Sequence, residues 1–108
     1  MTAQGTPLTR FRRAIDSRSV LLAELAAREA GRLPLEDALA LLELYARHDD
    51  PKLEAATVRW LGRLITEQRP TLADVQLAVA ALVSLQERPE QPQPVLRSLL
   101  RRTATSAT

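Results

Sequence analysis

The stretch Asp49-Asp50-Pro51-Lys52-Leu53-Glu54-Ala55-Ala56-Thr57-Val58-Arg59-Trp60-Leu61-Gly62-Arg63-Leu64-Ile65-Thr66-Glu67-Gln68-Arg69-Pro70-Thr71 decides the fold. Its apolar positions Leu53, Ala56, Trp60, Leu61 and Leu64 recur at helical spacing, and a proline stands on either side of them. Proline lacks an N–H and fixes φ, so it suits the start of a helix and breaks its interior. The stretch therefore reads as one helix, Lys52 to Gln68, capped by Asp50 ahead of Pro51.

The same punctuation extends outward in both directions. Pro34, Pro51, Pro70 and Pro89 lie 17 to 19 residues apart, which predicts a chain of similar helices. Before Pro34, Leu8 to Asp16 forms a short amphipathic helix behind the cap Thr6, with Leu8, Phe11 and Ile15 on one face. Asp16, Ser17 and Ser19 compete with the backbone for hydrogen bonds, so a break is placed there, with one helix over 7–30 as the alternative. A second helix, Val20 to Ala30, ends at Gly31. The third, Leu35 to His48, has Glu36 and Asp37 in its first turn, and its polar strip is limited to Glu36, Glu43 and Arg47. Leucines cover most of the rest, which predicts a central helix. The fifth, Leu72 to Glu87, starts at the cap Thr71 and is the most apolar of the set. After the proline-rich connector Arg88 to Pro94, a sixth runs from Val95 to Arg102. Residues 1–6 and 103–108 are expected to be disordered.

Composition supports this reading. Leu (20) and Ala (17) outnumber Val and Ile (8) more than fourfold, and straight-chain residues favour helix where β-branched ones favour strand. With 45% apolar and 26% charged residues, the 108-residue chain has the balance of one soluble globular domain. The absence of cysteine removes disulfides, thiolate metal sites and a cysteine nucleophile, and a single histidine, His48, cannot build a histidine-rich metal site. No secretory signal is read at the N-terminus, and the apolar run Leu77 to Leu85 falls far short of the ~20 residues that span a bilayer. A cytoplasmic location and no membrane partner are the expectations.

Sliding the chain by 37 residues lays Leu35, Asp37, Ala38 and Leu42 on Leu72, Asp74, Val75 and Val79, and Arg32 on Arg69. The expected architecture is all-α: about six helices, with two stacked helical hairpins over 19–48 and 52–87 flanked by short terminal helices.

Within the deciding stretch, Asp50, Pro51, Leu53, Ala56, Leu61, Gly62 and Leu64 resemble the leading helix of a HEAT repeat, over about 15 residues. Two positions depart from the family pattern. Glu54 replaces the usual arginine, and the bulky Trp60 stands where a small residue is expected. The resemblance implies a right-handed HEAT/ARM-like scaffold for binding protein or, less often, nucleic acid, and it brings no catalytic residues. In composition the chain also resembles short Ala/Leu/Arg-rich helical proteins of high-GC bacteria, a likeness that carries no activity.

The candidate sites follow from these features. His48-Asp49-Asp50 brings a histidine and carboxylates together, but successive residues at a turn suit caps better than convergent metal ligands, so no metal and no other cofactor is expected. No G-x-S-x-G elbow or glycine-rich phosphate loop occurs, which argues against an enzyme with a small-molecule substrate. Charge is segregated: residues 1–18 and 91–108 each carry +3, while 19–90 carries −4. Arg10, Arg12, Arg13 and Arg18 with Arg97, Arg101 and Arg102 would form one phosphate-binding surface if the terminal helices lay side by side. Trp60 reads as core rather than interface. The fifth helix has more apolar faces than a small monomer covers, and Leu77, Ala81 and Leu85, opposite Val75, Val79 and Leu82, are the candidate partner-binding residues. The functional expectation is a non-enzymatic protein-interaction or adaptor module, with a protein partner or homodimer; the alternative is a small arginine-dependent nucleic-acid-binding protein.

Overall fold

A computed structural model of the chain describes residues 5–91 and 93–107, with side chains as far as Thr103. The described residues form six helices and no strand: α1 (Pro7–Asp16), α2 (Val20–Ala30), α3 (Leu35–Arg47), α4 (Leu53–Gln68), α5 (Leu72–Glu87) and α6 (Pro94–Ala107). Three of the starts are fixed by hydroxyl caps. The Thr6, Ser19 and Thr71 side chains accept the backbone N–H groups of Thr9, Leu22 and Asp74 at 3.1, 3.2 and 3.1 Å.

Two of the ends are Schellman motifs built on non-glycine residues with positive φ. At the end of α1, Arg18 (φ 59°) donates its N–H to Ile15 O and Ser19 donates to Ala14 O, both at 3.0 Å. This separates α1 from α2 at the expected place. At the end of α3, Asp49 (φ 50°) donates to Ala46 O and Asp50 to Tyr45 O. His48-Asp49-Asp50 is thus a helix terminus, and the Asp50 carboxylate turns forward to accept Lys52 N–H at 2.9 Å. Among the described residues no three His, Asp or Glu side chains converge as metal ligands do.

α6 departs from expectation at its C-terminal end. It continues past Arg102 to Ala107, because Leu96, Leu99, Leu100 and Thr103 share one face and all four are buried. The backbone of 103–107 is therefore helical; of the expected disordered ends, residues 1–4 and 108 lie outside the described ones.

α3 is the centre of the molecule and serves two cores. On one side Leu35, Leu39, Leu42 and Ala46 pack with Trp60 and Leu64 of α4, Ala78, Ala81, Leu82 and Leu85 of α5, and Leu96, Leu99 and Leu100 of α6. On the other, Leu44 packs with Phe11 and Ala14 of α1, Ala23 and Ala26 of α2, and Leu33. Each fully buried leucine removed from water contributes roughly 1.5–3 kcal/mol before entropy is counted. The paired alanines on α1 and α2 let those two helices approach closely. The hairpin partners expected over 19–48 and 52–87 do touch, but packing is more extensive between α1 and α2 and between α3 and α4. α1 and α2 meet the other helices only at α3. The molecule measures 45 × 33 × 20 Å, and 20 Å is about two helix diameters, so every helix keeps an outward side.

Candidate interaction groove

α2 and α4 both lean on α3 without packing against each other, and on the α4 side a strip of α3 keeps Ala38 and Leu41 half-buried. This strip floors a groove of about 570 Å³. Its floor is apolar: Ala38, Leu41, Leu42 and Tyr45 from α3, with Ala56 and Trp60 from α4. Gly62 and Thr66 continue the α4 wall, and its charged lining residues, Arg32, Arg59 and Arg63, are all arginines.

Ion pairs brace the groove at both ends. At one, Lys52 Nζ lies 3.3 Å from both the Glu24 carboxylate of α2 and the Asp50 carboxylate, and these contacts raise the lysine's pKa. Tyr45 O–H donates to the same Glu24 at 2.6 Å, and Lys52 sits 5.5 Å from the centre of the phenol ring. Burial first, and then the bond to Glu24, push the phenol above its usual range. At the other end Arg63 donates to Glu67 at 2.7 Å and to Leu33 O at 2.7 Å, and Arg32 also pairs with Glu67. The hydrogen bond from Arg63, then that from Arg32, lowers the Glu67 pKa against the opposing effect of burial. Arg59 is exposed and, among the described residues, has no carboxylate partner. Trp60 is buried as expected, with its indole N–H donating to Leu35 O at 2.9 Å and its ring forming part of the floor.

The fifth-helix candidates need correction. Ala81 and Leu85 are 8% and 1% exposed and belong to the intramolecular core with Ala78 and Leu82; of the three, only Leu77 reaches solvent. α5 is apolar all round, so periodicity could not choose its inward face, and its packing against α3, α4 and α6 together decided it. The outward apolar residues of α5 are Leu72, Leu77, Val79 and Val83.

The terminal arginines are dispersed, and most are neutralised. α1 and α6 do not pack against each other. Arg10 pairs with Glu29 of α2, Arg12 with Asp37 of α3 at 2.9 Å, Arg97 with Glu43 of α3 and Arg102 with Asp74 of α5 at 2.7 Å. The Arg97 pair is bidentate, at 2.8 and 2.7 Å, and raises the pKa of that guanidinium, as Asp37 does for Arg12. Arg13 is an exposed lining residue of a smaller, mixed-charge cleft between α1 and α2, and Arg101 is exposed on α6.

The groove was missed in the sequence because its residues come from three segments, and Arg32, Arg59 and Arg63 are spread through an acidic stretch. Comparison with protein-family models, curated proteins and solved structures brings no match.

Proposed function

We propose that the protein is a non-enzymatic protein-interaction module of the cytoplasm, and that the groove over α3 is where a partner docks. The observation carrying this reading is an apolar groove along α3 and α4, where Ala38, Leu41 and Ala56 stay half-buried above the core residues Leu42 and Trp60 and arginines are the only charged lining residues. A floor of Ala38, Leu41 and Ala56, held rigid by the buried Leu42 and Trp60, offers an apolar surface of the kind on which protein interfaces are built. Its lining contains no carboxylate, histidine or serine to act as base or nucleophile. The nucleic-acid reading is less well supported, because Arg10, Arg12, Arg97 and Arg102 each already hold a carboxylate of the same chain.

A photo-reactive side chain at Thr66, on the groove wall, tests the reading against one at Gln86, outside it. Discrete protein adducts from Thr66, lost when Gly62→Leu fills the groove, are expected. Adducts to nucleic acid from Thr66, or protein adducts at both positions alike, overturn the reading.

A further inference from the structure

We infer that the groove takes an acidic amphipathic helix, a segment of a partner protein that lays apolar side chains on Ala38, Leu41 and Ala56, which the buried Leu42 and Trp60 support from beneath, and carboxylates against Arg32, Arg59 and Arg63. This rests on the interaction reading above and adds the chemistry of the occupant.

Charge and shape carry it together. The three charged lining residues have one sign and Glu67 engages two of them; with Lys52, Glu24 and Asp50 counted at the other end, the groove keeps about one uncompensated positive charge, at Arg59, over an apolar floor. An acidic ligand is steered to such a surface and a basic one is repelled. The α4 wall runs from Ala56 to Thr66, roughly 15 Å at 1.5 Å per residue, the length of about three turns of a docked helix.

Gly62 supplies the second observation. It stands inside α4, where glycine costs roughly 0.8–1.0 kcal/mol relative to alanine, yet a Cβ there would meet nothing within 4 Å. Packing within the chain therefore gives no reason for it. A side chain omitted from the wall of a groove lets a second backbone approach, as small residues do wherever helices cross closely. The outward face of α5 in a second copy does not match, since the run from Val75 to Gln86 carries no charge to meet the arginines.

The test uses the full chain and a synthetic helical peptide of about three turns, with leucines at i, i+4 and i+7 flanked by glutamates. Matched peptides carry glutamine or lysine in place of glutamate. Trp60 is the single tryptophan and its buried ring underlies the groove, so a change in its emission reports occupancy there. Expected is saturable binding in the order glutamate, glutamine, lysine, with the first about tenfold or more tighter than the last at low salt and the gap closing as salt rises. Arg59→Glu, at an exposed side chain, reverses the order. Gly62→Leu abolishes binding while melting no lower than the parent.

Equal affinity for the three peptides overturns the acidic part and leaves the interaction reading standing. No binding of any peptide, with protein adducts still formed from Thr66, overturns the helical occupant. A sedimenting dimer that Gly62→Leu dissociates identifies the occupant as a second copy and overturns the inference as well.

Discussion

Thr57 lies on the core face of α4 beside Trp60 and Leu64, is 6% exposed, and its hydroxyl has no hydrogen-bond partner among the described residues. A hydroxyl buried in this way forfeits its bonds to water and costs roughly 1–3 kcal/mol. Thr57→Val replaces that oxygen with a methyl of similar shape, and threonine and valine have similar helix propensity, so the backbone contributes little to the difference. The expected result is a gain of about 1 kcal/mol, which raises the melting temperature of a domain this size by about 4 °C. Two companions separate the hydroxyl from the methyl. Thr57→Ala loses both, and relief of the hydroxyl is offset by about 1 kcal/mol of lost burial and cavity, leaving stability nearly unchanged. Thr57→Ser keeps the hydroxyl and loses the methyl, and is the least stable of the four. Far-UV circular dichroism during thermal and urea unfolding gives the ranking. A valine variant less stable than the parent would refute the reasoning, since the hydroxyl must then be bonded in the folded protein.

Other perturbations follow from the same contacts. A double-mutant cycle of Arg97→Met and Glu43→Gln is expected to give a coupling of about 1–2 kcal/mol, because the pair is bidentate and partly sheltered. The cycle for the more exposed pair Arg102 and Asp74 gives about 0.5 kcal/mol or less, and equal couplings in unfolding titrations would contradict this. The lowered pKa of Glu67 means that its contribution is complete above the usual carboxylate range and is lost as pH falls through the lower folded value; Glu67→Gln removes that part of the acid slope. Tyr45 has the opposite sign: its raised pKa gives stability that is complete below its ordinary value of 10.0 and declines as pH rises past it, so Tyr45→Phe flattens the alkaline limb of a denaturation series. Gly62→Ala is expected to raise stability by about 0.5–1 kcal/mol in urea unfolding, and a loss would show that the wall is less open than its surroundings indicate.

The elements were legible in the sequence where local chemistry decides them. Proline positions, the hydroxyls of Thr6, Ser19 and Thr71, and the serine-rich break after Asp16 each act within a few residues, and five of the six helices begin and end within a residue of where those features put them. The sixth was read too short, because Thr103 looks like the start of a polar tail until its place beside Leu96, Leu99 and Leu100 is known. The inward face of α5 was not legible at all: with apolar residues all round, Leu77, Ala81 and Leu85 were as good a stripe as Ala78, Ala81, Leu82 and Leu85. The groove was hidden for a related reason. It is defined by what α2 and α4 leave uncovered on α3, and no local pattern encodes an absence of contact.

The segregation of charge along the chain becomes intelligible once the helices are placed. The basic ends fold onto the acidic middle: α1 meets Glu29 and Asp37, and α6 meets Glu43 and Asp74. Those pairs lie away from the groove lining, so Glu29, Asp37, Glu43 and Asp74 are matched by arginines from the ends, while among the described residues the arginines of the α2–α3 loop and α4 share the single carboxylate of Glu67. The same arrangement makes the seam between the two cores mechanically weak. α1 and α2 pack on the rest of the molecule through α3, and among the described residues the polar bridges to α4 and its leading turn are those of Glu24 with Lys52, Glu67 with Arg32, and Arg63 with Leu33 O. A ligand lying in the groove meets α3, α4 and, through Arg32, the loop that follows α2; a ligand that binds only this joined arrangement stabilises it by RT ln(1 + [L]/Kd), about 2.7 kcal/mol at a hundredfold excess over Kd. Hydrogen exchange in α1 and α2 should therefore slow on binding even though neither helix supplies the floor. Protection confined to α3 and α4 would mean that the occupant stays on one side of the seam and leaves the two cores uncoupled.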